Sequence, residues 1–229
     1  MKYFFTHISL FFIVLLPLTT TAQTSKQTAD YLSTVQQLNT AILENPTFEA
    51  YYNRGLVLFI LGDYNGAIRD NTQAIELNPA DKNMYLTRGK AKDAIGDYQS
   101  AIKDFDKVLE LDNTNAEAYY NRGVCKRVAK DYAGAIEDFN QALKVNPDYA
   151  EAYNNRGRAK YYSEDDNDAL QDFDKAIALK PDYADAFNNR GNYYYFLDDN
   201  KEKACADWIQ AAALGDTNAK EQIEKYCAE

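Results

Sequence analysis

Arginines and aspartates that could form ion pairs recur along the chain at constant spacing. An arginine followed by glycine returns every 34 residues, at Arg54, Arg88, Arg122, Arg156 and Arg190. Aspartates recur downstream of them in almost the same register, at Asp70, Asp104, Asp138, Asp172 and Asp207. A guanidinium group can donate two parallel hydrogen bonds to one carboxylate. We therefore predict that each arginine pairs with such an aspartate, within or between units. The alternative is that the arginines form a ladder that grips an acidic ligand.

Histidine, the commonest catalytic base, is missing from the predicted mature chain. The only histidine is His7, which lies in a leader segment, so the mature protein has none. Ser-His-Asp and Cys-His mechanisms are thereby excluded, together with the commonest metal ligand. The sequence also lacks a glycine-rich phosphate loop and a Cys-x-x-Cys pair. We predict a non-enzymatic protein without a cofactor.

One acidic run, residues 164–168, could be interpreted as a calcium-binding loop. It lacks the glycine and the distal glutamate of a helix-loop-helix calcium site. It also coincides with a predicted turn between helices, where aspartates recur in other units. We interpret it as a solvated turn and predict no metal site.

The charge of the chain argues against nucleic acid as a partner. The 25 basic and 35 acidic residues give a formal net charge of −10. Binding to phosphate groups needs a clustered basic face, and an anionic membrane surface is disfavoured for the same reason.

The first 22 residues have the pattern of a secretory signal peptide. Lys2 precedes an apolar run from Leu10 to Leu18, and the small residues Thr20 and Ala22 precede Gln23. The apolar run is shorter than the roughly 20 residues of a membrane span, although an uncleaved anchor is the alternative. We expect export to the periplasm or cell envelope, or secretion, with no stable membrane insertion after cleavage.

The 34-residue period indicates a repeat array, because self-similarity of this length is typical of stacked helical units. Each unit is predicted to form two helices, separated by a turn with an aspartate that caps the second helix. The predicted segments are a lead-in and half repeat at 23–46, units at 48–81, 82–115, 116–149, 150–183 and 184–215, and a C-terminal capping helix at 216–229. Within the lead-in, residues 23–30 are predicted to be disordered and a helix to begin at Tyr31.

The repeat resembles the tetratricopeptide repeat family, in an Asn-Arg-Gly form, over residues 48–214. The third unit shows the motif with Tyr119, Gly123, Ala135, Phe139 and Pro147. The resemblance implies an all-α, right-handed α-solenoid of antiparallel helix pairs with capping helices at both ends. It also implies a concave groove, lined by the first helices, that holds peptides or proteins. The last unit contains an inserted residue and resembles a Sel1-type repeat.

The resemblance also implies which residues face that groove. They are Tyr52, Phe59, Leu86, Lys90, Tyr120, Arg127, Asn154, Arg158, Tyr161, Asn188 and Tyr195. For each tyrosine, the alternative is that it packs only against the next unit. No three consecutive units supply the lysines and asparagines with which chaperone-binding members hold a peptide C-terminus.

Two cysteines near the C-terminus are predicted to form a disulfide. Cys205 precedes the Gly215 turn by ten residues and Cys227 follows it by twelve, so an antiparallel hairpin would bring them together. The alternative is two free buried thiols. Cys125 is left over as a small core residue.

The leading functional hypothesis is a non-catalytic scaffold that binds a segment of a partner protein in the periplasm or cell envelope. The alternative is a carbohydrate or cell-wall binding accessory protein that uses the groove tyrosines.

Overall fold

The computed structural model describes residues 21–163 and 168–227. Within these ranges the chain forms twelve α-helices, one short π-helix and no β-strand, so the predicted all-α solenoid of helix pairs is confirmed. The capping and first helices are α1 (Thr21–Glu44), α2 (Phe48–Ile60), α4 (Lys82–Ala94), α6 (Ala116–Val128), α8 (Ala150–Tyr162) and α10 (Ala184–Phe196). The second helices and the C-terminal cap are α3 (Tyr64–Leu77), α5 (Tyr98–Leu111), α7 (Tyr132–Val145), α9 (Ala169–Leu179), α11 (Lys201–Ala213), α12 (Thr217–Gln222) and the π-helix Ile223–Cys227. No helix within the described ranges combines the length and the apolarity that a membrane crossing requires.

Each helix packs against its neighbours in chain order, and this order produces curvature. The two helices of a unit form the most extensive contact, and the second helix then packs on the first helix of the next unit. First helices of consecutive units also touch: α2 contacts α4, α4 contacts α6, α6 contacts α8 and α8 contacts α10. In the described part of the chain the second helices make no comparable contact with one another. The first helices therefore line the concave face of the array, and the second helices form its convex face.

Aspartate caps start the second helices of the first three units. The carboxylates of Asp63, Asp97 and Asp131 accept hydrogen bonds from backbone N–H groups three residues later, at 2.8–3.2 Å. Such a side chain satisfies one of the amide groups that a helix N-terminus leaves unpaired. Gly62 and Gly96 precede two of these caps with φ near +80°, a conformation that favours glycine.

A glycine in the first helix of units two to five lets an aromatic ring of the partner helix approach closely. A Cβ atom on Gly89 would lie 2.8 Å from the Phe105 ring, and one on Gly123 would lie 2.8 Å from the Phe139 ring. Both rings are fully buried. The cost of a mid-helix glycine, about 1 kcal/mol relative to alanine, is thus offset by burial of a large aromatic side chain one helix away.

The Arg-Gly arginines each bind the aspartate of the same unit through two hydrogen bonds. The pairs are Arg54–Asp70, Arg88–Asp104, Arg122–Asp138, Arg156–Asp172 and Arg190–Asp207. The Nη2 to Oδ1 distances are 2.5–2.8 Å and the Nε to Oδ2 distances are 2.6–3.0 Å. The carboxylates are buried, so the guanidinium groups are engaged inside the array and do not form a free ladder for a ligand.

Each of these guanidinium groups also reaches back to the preceding unit. Its Nη1 atom donates to an acceptor 15 or 16 residues upstream, at 2.6–3.1 Å. The acceptors are Asn39, Thr72, Asp106, Asn140 and Asp174. A single side chain therefore fastens the two helices of its own unit and the second helix of the unit before.

The structure differs from the sequence-based expectations near both ends. The first helix begins at Thr21, not at Tyr31, so residues 23–30, expected to be disordered, are helical. This stretch contains no glycine or proline that would end a helix. In the last unit the inserted residue lies in the loop before α11, where Asp199 has φ +46°. The Arg190–Asp207 pair keeps both hydrogen bonds at 2.8 Å despite the insertion.

A disulfide and an aromatic cluster close the C-terminal end. Cys205 on α11 is bonded to Cys227 in the π-helix, with 22 residues of separation and a Cα–Cα distance of 5.8 Å. Trp208 is fully buried and packs with the rings of Tyr195 and Tyr226, at centroid distances of 5.5 and 5.8 Å. The last residues are thus attached covalently and by packing to the final helix pair.

Replacing Arg122 by glutamine should destabilise the whole array. The change leaves the Asp138 carboxylate, 2% exposed, without its guanidinium, although Lys126 remains 2.8 Å away. We expect the free energy of unfolding to fall by about 3 kcal/mol, at the lower end of the cost of breaking a buried pair, in urea titrations followed by circular dichroism. Arg69→Gln on the exposed surface of α3 is the matched control and should change stability little. Equal unfolding midpoints for the two variants would contradict the structural role of Arg122.

Removal of the disulfide should loosen the C-terminal end. A 22-residue loop gives a bond of this kind a value of about 3 kcal/mol, so the Cys205→Ser, Cys227→Ser variant should unfold at a correspondingly lower urea concentration. The unfolded, oxidised protein should react with one equivalent of thiol reagent, at Cys125, and with three after reduction. Three reactive thiols before reduction would show that the bond is absent.

Candidate partner-binding face

The candidate site is the concave face, defined here as the accessible surface of α2, α4, α6, α8 and α10. The structure places all eleven residues of the expected groove on these five helices. They differ in exposure and in the contacts that they make with neighbouring units.

At the N-terminal end the concave face carries a charge-balanced aromatic patch. Lys90 on α4 lies over the Phe59 ring of α2, 5.7 Å from its centroid. The same ammonium group forms an ion pair with Glu117 of α6, at 2.8 Å. Tyr52 is partly buried, and this burial raises the pKa of its hydroxyl against the opposing effect of a hydrogen bond with Thr87. Phe59, Tyr52 and Leu86 are all partly accessible.

In the middle of the face, Tyr120 mainly contacts residues of the next unit and is only partly accessible. Its ring lies 4.8 Å from that of Tyr149, and its hydroxyl accepts a hydrogen bond from Asn155 Nδ2 at 3.2 Å. Burial, followed by the charge of Glu151, raises the pKa of Tyr120 to about 12. Most of the contacts of Tyr120 thus agree with the alternative that the tyrosines pack against the next unit.

A row of asparagines joins consecutive first helices at a separation of 35 residues. Asn155 donates to Tyr120, and Asn189 donates to Asn154 at 2.9 Å. In the same register Asn121 corresponds to Leu86, which has no polar atom on its side chain. The Nδ2 atom of Asn121 is accordingly buried without a hydrogen-bond partner in the described part of the chain.

Two of the expected groove residues are buried, so the structure corrects their assignment. Asn154 is 1% exposed and Asn188 is 9% exposed. Asn154 donates a hydrogen bond to the Tyr183 hydroxyl and accepts one from Asn189. The amide of Asn154 is therefore engaged in contacts between units four and five. The Oδ1 atom of Asn188 has no hydrogen-bond partner among the described residues.

The accessible part of the central face contains two arginines and several tyrosines. Arg127 lies in the last turn of α6 and Arg158 on α8. Burial, and then the charge of Arg158, lower the pKa of the Arg127 guanidinium. Arg158 lines a small depression with Tyr161, Tyr162, Phe173, Asn189 and Asn192.

At the C-terminal end the concave face is closed by the aromatic cluster. Tyr195 lies 4.5 Å from Tyr226 and 5.0 Å from Phe196, between ring centroids. Asn192 accepts hydrogen bonds from Trp208 Nε1 and Gln222 Nε2, at 3.2 and 2.7 Å. Tyr195 therefore contributes to the C-terminal cap while it remains partly accessible.

Sequence reasoning missed a second cation on three of the buried aspartates. Lys92, Lys126 and Lys160 lie 2.7–3.0 Å from the carboxylates of Asp104, Asp138 and Asp172. Each lysine follows an Arg-Gly arginine by four residues, one helical turn later. That spacing was visible in the sequence and places both cations on the same helix face.

Family models match the repeats that this geometry describes. A tetratricopeptide repeat model matches residues 48–81 and 116–149, and a TPR repeat model matches residues 94–125 and 157–197. Together the two models cover more than half of the chain. The chain is built of tetratricopeptide repeats.

Solved structures of this repeat class have the same fold. MamA is 27% identical over 75% of this chain and 97% of its own, with a TM-score of 0.63. The MamA 41-end structure from Desulfovibrio magneticus RS-1 is 25% identical over 73% of this chain and 94% of its own, with a TM-score of 0.67. YrrB, described as a TPR protein with an unusual peptide-binding site, is 23% identical over 83% of this chain and 99% of its own, with a TM-score of 0.66. The likeness to YrrB shows the fold alone. None of the curated protein sequences matches the chain.

The tetratricopeptide units offer no metal-binding cluster within residues 21–163 and 168–227. The acidic run interpreted as a solvated turn lies outside the described residues, apart from Asp168 in the turn before α9.

The partly buried tyrosines between the units should make the fold sensitive to alkali. Burial raises the pKa values of Tyr120, Tyr149 and Tyr183 above 10. Below pH 10 both states hold these protons, so the full stability is present. As the pH rises from about 10 to 12 the unfolded chain releases protons that the folded chain retains, and stability falls by about 1.4 kcal/mol per pH unit for each tyrosine. Urea titrations at several pH values should show this decrease in the free energy of unfolding with pH. In the Tyr120→Phe variant the slope should be smaller by the contribution of one tyrosine. An unchanged slope in that variant would contradict the burial of Tyr120.

Proposed function

We propose that this protein is a non-catalytic scaffold that binds an extended segment of a partner protein along its concave face. The observation that carries the proposal is that one set of residues holds the repeats together while another set remains accessible. The Arg-Gly arginines and their aspartates are engaged inside the array, while Phe59, Lys90, Arg127 and Tyr161 remain partly accessible on one continuous face.

The chemistry of that face suits recognition of a peptide. Partly accessible aromatic rings and arginines commonly anchor protein interfaces. Repeat solenoids offer an extended concave surface for a partner, and here consecutive first helices contribute side chains of different character at equivalent positions. Lys90, Val124 and Arg158 illustrate this, since they occupy one position in three successive units and all three are partly accessible.

We further propose that the protein acts outside the cytoplasm, in the periplasm or cell envelope. Two features support this location. The first 22 residues have the pattern of a signal peptide, and the pairing of Cys205 with Cys227 suits an oxidising compartment.

The concave face can be tested by truncating two of its rings. We expect the Phe59→Ala, Tyr161→Ala variant to capture the partner from a cell-envelope extract at least about fivefold less well, because two anchoring rings are lost. Capture would be quantified by mass spectrometry against the parent protein, with thermal melts to show that the variant folds.

The matched control removes similar apolar area outside the concave face. Leu77 and Leu111 lie at the C-terminal ends of α3 and α5 and are 54% and 40% exposed. The Leu77→Ala, Leu111→Ala variant should capture the partner normally. Loss of capture in the control alone would move the binding surface to that edge. Binding to a glycan array without capture of any protein would favour a carbohydrate-binding accessory protein.

A further inference from the structure

Two arginines on the concave face lack the carboxylate partners that the Arg-Gly arginines have. Among the described residues Arg127 and Arg158 take part in no ion pair, and the Nε atom of Arg127 is buried without a hydrogen-bond partner. By contrast, each Arg-Gly arginine binds an aspartate of its own unit. A buried donor without an acceptor is costly, so an acceptor supplied by a ligand would stabilise this site.

The two guanidinium groups belong to neighbouring helices and lie near the same tyrosine. Helices α6 and α8 are in contact, and both arginine charges act on the hydroxyl of Tyr120. The rings of Tyr132 and Tyr162, stacked with centroids 5.9 Å apart, lie beside Arg127. Arg158 opens on the other side into the depression that Tyr161 also lines. The result is a site with two cationic side chains, lined by aromatic rings, at the junction of units three and four.

Two like charges in a partly desolvated place repel each other. Repulsion by Arg158 is the second cause, after burial, of the lowered pKa of the Arg127 guanidinium. An anion between them would neutralise both charges and would accept the unused hydrogen bonds. A carboxylate matches the planar fork of a guanidinium group, and the surrounding rings strengthen the attraction because they exclude water.

We propose that Arg127 and Arg158 bind an aspartate or glutamate side chain of the segment that occupies the concave face. This inference rests on the proposed function and adds to it the chemistry of the partner. Polyanions are disfavoured because the chain carries a net charge of −10, which repels them at longer range. The concave face continues past the two arginines toward α4 on one side and α10 on the other, so the segment passes across the site and does not end there.

The site also suits the backbone of such a segment. Asn189 and Asn192 line the depression next to Arg158. Asparagine amides can donate to and accept from peptide groups. The acidic side chain would therefore be held where the neighbouring backbone also finds polar partners.

A peptide selection tests this proposal. The full-length, oxidised protein is panned against a library of short random peptides with amidated C-termini. Enriched peptides should share one Asp or Glu position. A synthetic peptide from the selection should bind at least about tenfold less tightly when that residue is replaced by its amide counterpart. Binding of the acidic form should weaken with added salt, because the charges become screened.

Matched variants identify the residues responsible. Arg127→Gln and Arg158→Gln should each remove most of the preference for the acidic peptide, whereas the control Arg69→Gln on the convex side keeps it. Both test variants should melt at the temperature of the parent or higher, because neither arginine has a carboxylate partner among residues 21–163 and 168–227. A preference that survives in both variants overturns the proposal.

The other outcomes separate this inference from the proposed function. Enriched peptides without a shared acidic position would refute the arginine site and leave a peptide-binding face. If a parallel library with free C-termini yields acidic dependence only through the terminal carboxylate, the assignment to a side chain is wrong. If the parent protein enriches no peptide from either library, the proposed function itself fails.

Discussion

The contact on which the array depends is the guanidinium group that is shared between two units. Each Arg-Gly arginine binds a buried aspartate in its own unit and an acceptor in the preceding one. A helix pair of this size cannot bury enough apolar surface to fold alone, so the stability of a solenoid depends on its interfaces between units. Because the donors of a guanidinium group are held in a rigid plane, this contact fixes the spacing and the angle between neighbours as well as joining them. The last unit shows how strict the constraint is, since its extra residue is accommodated in a loop while the pair is kept.

This internal use of arginine determines which charges remain accessible on the concave face. The five constant arginines are engaged, so the remaining charge on this face comes from positions that vary between units. At the N-terminal end Lys90 is balanced by Glu117. In the middle Arg127 and Arg158 are not balanced within the described residues. At the C-terminal end the aromatic cluster and the disulfide close the array. The face is thus divided into three parts of different chemistry.

The comparison with known tetratricopeptide structures fits this division between fold and recognition. MamA shares the fold at 27% identity. In this chain, glycines face buried rings and arginines face buried aspartates in successive units. The variable positions are under no such geometric requirement, which leaves them free to specify a partner.

The sequence by itself determined the period, the helix pairs and the arginine–aspartate spacing. These features repeat with the same residue types in successive units, so a single pattern contains them. The tertiary structure decided three further points. The acceptor in the preceding unit differs from unit to unit (Asn39, Thr72 and Asp106 in the first three), so no repeated residue marks it. Asn154 and Asn188 are buried because neighbouring helices cover them, although their positions in the repeat match that of the partly accessible Tyr120. Arg127 and Arg158 both influence Tyr120 only because α6 and α8 lie side by side. In a sequence with alternating charges, no local pattern predicts which cations have no ion-pair partner among the described residues after the helices pack.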